Sequence, residues 1–79
     1  MKPLKEVDAF VYTDTEGNET AYVNTGETTQ AYGKTYYAFC KMKNQEELSP
    51  WDIWKISEPY FNEMVAKGRI RVVERFGDL

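Results

Sequence analysis

The chain has no histidine, a single cysteine, and no run of apolar residues approaching the roughly 18 needed to cross a membrane as a helix. Each absence removes a class of function. Without histidine, the side chain most often used for proton transfer near neutral pH is missing. One thiol cannot form an intrachain disulfide, and one thiol with no imidazole cannot assemble a structural zinc site. The five glycines are isolated at positions 17, 26, 33, 68 and 77, so no phosphate-cradling loop is formed and no nucleotide cofactor is implied. Met1-Lys2-Pro3-Leu4-Lys5-Glu6 carries two lysines but no apolar stretch of the secretory type, so the expected location is the cytoplasm, with no membrane contact.

What is present is an aromatic-rich chain of 79 residues with six Tyr, four Phe and two Trp. That length allows one small domain, which must find stability without a disulfide or metal staple. Large rings bury roughly 150–250 Å² each, so a few of them can form the core. The net charge is −3, unevenly spread. Residues 1–33 hold six acids against two lysines, a balance of −4, whereas residues 34–79 hold seven acids against eight bases, a balance of +1.

The first half reads as β structure. Val7 to Thr13 and Glu19 to Thr25 both alternate, and Asp14-Thr15-Glu16-Gly17-Asn18 between them has the chemistry of a three-residue hairpin loop. A type I turn at Thr15-Glu16, with Gly17 left-handed, pairs Asp14 with Asn18 and sets Val11 opposite Ala21, Ala9 opposite Val23, and Phe10 opposite Tyr22. Turn chemistry and hydrophobic register thus agree. The oxygen ligands of this loop also resemble a fragment of a calcium loop, but the segment is too short for the twelve-residue pattern and the hairpin accounts for it.

Thr25-Gly26-Glu27 and Tyr32-Gly33-Lys34 are turn signals; the stretch between them reads as a short strand or a loop. Thr35 to Met42 is the strongest strand signal, apolar on both faces, and is expected to be the central strand. Cys40 inside it reads as a buried, inert thiol. Lys43 to Leu48 reads as a loop.

Ser49-Pro50-Trp51-Asp52 has the form of a helix start, which predicts a short helix over 49–56, with a strand at Ile53 to Ile56 as the alternative. Tyr60, Phe61, Met64 and Val65 form an apolar helical stripe ended by Gly68. Arg69 to Phe76 reads as a final strand.

The expected fold class is therefore α+β: a small antiparallel sheet or partial barrel with one packed helix and a possible short helix before it. One domain spans 1–79, divided into an N-terminal arm (1–6), a β-rich half (7–42), a helical segment (49–68) and a C-terminal strand (69–76).

The candidate sites are surfaces. Ser49 and Ser57 are the only serines; each reads as a helix cap and neither has a base to activate it, so the chain reads as non-enzymatic. Arg69, Arg71 and Arg75 share one face of an extended strand. They point either to phosphate contacts, with Tyr36 and Tyr37 available for stacking, or to intrachain pairing with Glu19 and Glu74. The net negative charge argues against an isolated nucleic-acid binder. An acidic hairpin bearing Asp14, Glu16 and Glu19 has a different use, meeting the arginines of a second copy or a partner. Within one monomer the two sets would pair with each other. Trp51 and Trp54 are of the type that dominates interfaces, and one of the two is expected at a binding surface.

Pro59 to Glu74 resembles the helix–Gly–strand ending of small phage and prophage accessory proteins, over about a fifth of the chain. The resemblance implies protein binding, through self-association or a separate partner, in one of two kinds of role: a minor virion component acting in assembly, or a host-takeover inhibitor. In the second role Asp8, Asp14, Glu16, Glu19 and Glu27 would occupy the cationic channel of a host nucleic-acid enzyme. It carries over no specific site residues.

Overall fold

A computed structural model of the chain describes residues 3–44 and 47–73. Arg75, Glu74 and Phe76 of the expected last strand lie outside these limits.

After a 3₁₀ turn at Leu4–Glu6, the elements run β1 (Ala9–Thr13), β2 (Glu19–Ala31), β3 (Lys34–Met42), β4 (Leu48–Ser57), α1 (Glu58–Ala66) and β5 (Ile70–Val73). The five strands form one antiparallel sheet in the order β4-β3-β2-β1-β5. The first four strands follow as a meander. Helix α1 then carries the chain from one edge to the other, where β5 pairs with β1. The class is α+β, and the sheet is open, with β4 and β5 as its two edges.

The first hairpin has the register expected of it: Val11 lies opposite Ala21, Ala9 opposite Val23, and Phe10 opposite Tyr22. The Asp14 amide donates to Asn18 O (3.0 Å), the Gly17 amide donates to Asp14 O (3.1 Å), and Gly17 is left-handed at φ 88°.

Phe10, Phe39 and Phe61 are fully buried and, with Leu4, Val7, Ile56, Met64 and Ile70, form the core between sheet and helix. Phe10 is its hub, with ring centroids 4.8 Å from Phe39, 5.3 Å from Tyr22, 5.6 Å from Phe61 and 5.7 Å from Trp54. The N-terminal arm belongs to this core, because Leu4 is completely buried and its amide donates to the Glu58 carboxylate at 2.7 Å. That bond ties the arm to the first turn of α1, where a negative charge also favours the helix dipole. The opposite sheet face carries a smaller apolar cluster of Ala9, Val11 and Val73 with Ala21 and Val23.

Three expectations need correction. Residues 49–56 are strand rather than the short helix, as the alternative reading of Ile53 to Ile56 had it, and the strand begins earlier, at Leu48. The Ser-Pro signal is local and was outweighed by pairing with β3, where Phe39 lies opposite Trp54 and Tyr37 opposite Ile56. Ser49 Oγ donates to the Asp52 carboxylate (2.6 Å) instead of capping a helix. The helix begins at Glu58, with Ser57 at its N-cap position and Gly68, left-handed at φ 75°, just beyond its end. The middle strand of the sheet is β2, not β3. Thr25-Gly26-Glu27 forms a bulge opposite Ala38 rather than a turn, and β2 continues through it, so residues 28–31 take the strand of the two expected readings. Thr25 Oγ1 donates to Ala38 O at 2.9 Å to hold the bulge.

Candidate protein-interaction site

One end of the sheet gathers most of the residues singled out by sequence. The antiparallel order brings together the 14–18 hairpin loop, the end of β3, the start of β4 and the start of β5. Asp14, Glu16, Glu19, Trp51, Arg69 and Arg71 all belong to this end.

The charged residues are engaged within the chain. Asp14 Oδ1 accepts the amides of Glu16 (2.8 Å) and Asn18 (2.9 Å). These bonds, the Asn18 amide foremost, hold the Asp14 carboxyl below its ordinary pKa. Glu16 takes a long contact of 3.5 Å from Asn18 Nδ2. Arg71 stands 3.7 Å from Glu19 across the open sheet face. Arg69 precedes β5, and its Nη1 donates to Asp14 O at 3.1 Å, while Thr13 N donates to Arg69 O at 2.8 Å. Within one molecule, Arg71 thus meets the Glu19 carboxylate and Arg69 meets the backbone of the acidic loop. Arg75 lies outside the described residues.

The two tryptophans, three residues apart, have opposite fates. Trp54 is half-buried, with its ring centroid 5.2 Å from Tyr12, 5.2 Å from Tyr22 and 6.4 Å from Tyr60, all edge-on. It finishes the core at the margin of α1. Beside it, Tyr22 has its pKa raised, chiefly by burial and secondarily by the Asp52 carboxylate. Trp51 is 92% exposed. The reason is an irregularity in β4: between the pairs Cys40–Ile53 and Met42–Leu48, the single residue Lys41 faces four residues, 49–52. These four arch away from β3. The arch is braced by the Ser49–Asp52 bond and by Cys40 Sγ, 3.1 Å from Ser49 O. Cys40 itself is buried, in agreement with expectation.

Leu48 and Ile53, on the same edge strand, are also exposed (48% and 43%). Exposed apolar residues scattered singly are ordinary; here Leu48 and Trp51 line one groove together, and Ile53 lies two residues further along the strand. Beneath Trp51 runs a groove lined by Lys41, Lys43, Leu48 and Pro50 among others. Next to it, where β2 begins and β3 ends, lies a cleft of about 310 Å³ walled by Glu19, Thr20, Ala21, Lys41, Met42 and Lys43. The sequence reading missed Lys41, Lys43, Leu48 and Ile53. The signal that could have found them is Pro50: a proline within a strand marks an edge or a bulge.

A second exposed aromatic, Tyr32, sits at the tip of the β2–β3 hairpin, 98% exposed. Tyr32 and Gly33 both have positive φ (53° and 74°), a type I′ turn with tyrosine where asparagine or glycine is usual.

Among the described residues no helix is long and apolar enough to cross a membrane, and no group of three or more acidic or cysteine side chains is placed to hold a metal ion. Comparison with protein-family models, curated proteins and solved structures gives no match.

Proposed function

We propose that the chain is a non-enzymatic protein-binding module whose contact surface is the end of the sheet around Trp51. The carrying observation is the exposure of Trp51 on a braced arch, with Leu48 on the same strand and a cleft alongside. An indole in water forgoes the burial that makes tryptophan the commonest interface anchor. The bonds of Ser49 to Asp52 and Cys40 hold the backbone from which it projects, and burial of the indole on binding outweighs the rotamer freedom it then loses.

With the resemblance of residues 59–74, this reading extends to a small phage-type virion assembly or accessory component. The inhibitor reading, through the acidic hairpin, and the nucleic-acid reading, through Arg69 and Arg71, call on charges that already have partners in the chain. The one exposed acid–arginine pair among them, Arg71–Glu19, is worth about 0–1 kcal/mol, so a stronger ligand could compete for it, but neither reading has a feature comparable to Trp51 behind it.

The test is photocrosslinking of the full chain with a reactive analogue at position 51 or, as control, at position 32. A protein partner should be captured from position 51; excess unaltered chain or Tyr32→Ala should compete that capture away, and Trp51→Ala should not. A specific partner whose binding survives Trp51→Ala unchanged refutes this surface.

A further inference from the structure

The reading of Trp51 as an anchor leaves its receptor open, and the same surface contains one. We propose that the partner is a second copy of this chain, bound so that Trp51 of each molecule enters the cleft of the other; the proposal rests on the protein-binding reading above.

Three observations carry it. The projection and the recess adjoin: Lys41 and Lys43 line both the groove beneath Trp51 and the cleft of about 310 Å³. A two-fold dimer requires a surface complementary to itself, and a knob beside a matching hole is the simplest such surface. A two-fold axis passing between them sets each Trp51 over the other molecule's cleft. The size fits as well, since the cleft lies at the small end of the range for ligand sites, suited to one ring system.

Charge is the third observation. The indole face is electron-rich, and the cleft presents two ammonium groups on the side shared with Trp51. Lys41 has no ion pair among the described residues, and Lys43 has only an exposed contact of 3.9 Å to Glu47. On another wall stands the Glu19 carboxylate, an acceptor of the kind the indole N–H requires when it is buried. Among the described residues its only ion pair is the long one to Arg71, at 3.7 Å.

The obvious competitor is extension of the sheet by a strand added along β4. Two features oppose it. Pro50 offers no N–H, and the arch at 49–52 breaks the outer edge.

The experiment is sedimentation equilibrium of the full chain over a wide concentration range, with Trp51→Ala (knob removed), Ala21→Phe (hole filled) and an equimolar mixture of the two. Each variant alone has no intact knob–hole contact, so each should self-associate roughly tenfold or more weakly, as loss of a hot-spot residue implies. The mixture restores one contact and should recover part of the association that neither variant shows alone. Should Ala21→Phe fail to fold, the emission of Trp51 in a Trp54→Phe background provides a second readout, shifting to shorter wavelength as dimer forms. Four results overturn the proposal: a monomer at every concentration, unchanged association in Trp51→Ala, no recovery in the mixture, or emission that stays red while mass doubles. A monomer whose position 51 still captures a different protein overturns only the self-docking and leaves the wider protein-binding reading intact; loss of that capture as well removes both.

Discussion

Replacing Phe10 by leucine tests the account of the core directly. Phe10 is completely buried and touches four other rings, at centroid distances from 4.8 to 5.7 Å. Leucine keeps most of the apolar area but removes every ring–ring contact. Aromatic pairs contribute about 0.5–1.5 kcal/mol each beyond area burial, and they are not additive within one cluster. Two of the four, Tyr22 and Trp54, are half-buried and can relax toward the leucine. The expected loss is therefore about 2 kcal/mol, well short of the 3–5 kcal/mol typical of truncation to alanine. For a domain of this size that loss lowers Tm by about 8–16 °C. The assay is urea and thermal unfolding followed by circular dichroism, with Trp51→Ala at low protein concentration as the surface control, expected within about 0.5 kcal/mol of the unaltered chain. A Phe10→Leu protein within that same margin would refute the assignment of Phe10 as hub. An unchanged midpoint slope is also expected, since the unfolded surface scarcely differs.

Two further outcomes follow from the turns. Tyr32→Asn should stabilise the protein by about 0.5–1 kcal/mol, because asparagine tolerates the left-handed φ of 53° better than tyrosine does; a loss of stability by chemical denaturation would show that the exposed ring has a partner in the folded chain. The Asp14 carboxyl has a lowered pKa, so its bonds to the loop favour folding above the pKa of an unfolded aspartate and are lost as pH falls through the lower folded value. The amide protons of Glu16 and Asn18 should report that titration below the ordinary aspartate range, and Asp14→Asn should abolish it.

The first hairpin was legible from sequence because three local signals coincide at one register: the glycine, the aspartate at the loop start, and two alternating strands. The boundaries of the core helix were legible for a similar reason, with an apolar stripe followed by a left-handed glycine. The segment 49–56 was not, since Ser-Pro followed by an acid three residues after the serine opens helices and also fits an arch on an edge strand. Only the non-local pairing with β3 decides between them. The central position of β2 was hidden by its polar far half. Beyond Asn24 that half has no β1 neighbour, and residues 25–30 are exposed. As for the site, residue type marked Trp51 and Trp54 equally. What separates them is four residues of β4 facing one residue of β3, a fact of pairing that no spacing of residues in β4 alone encodes.

The pairing of β5 with β1 joins Ala9 to Val73, the first described strand to the last. During synthesis β1 leaves the ribosome first, yet one of its edges waits for the last strand. Until residues 70–73 emerge, the nascent sheet has β1 as a bare border carrying Phe10 and Val11. Parting a β-edge from its partner for most of translation invites chance pairing with other chains. The same wait makes completion all-or-none. No prefix of the chain that stops short of β5 closes the β1 border.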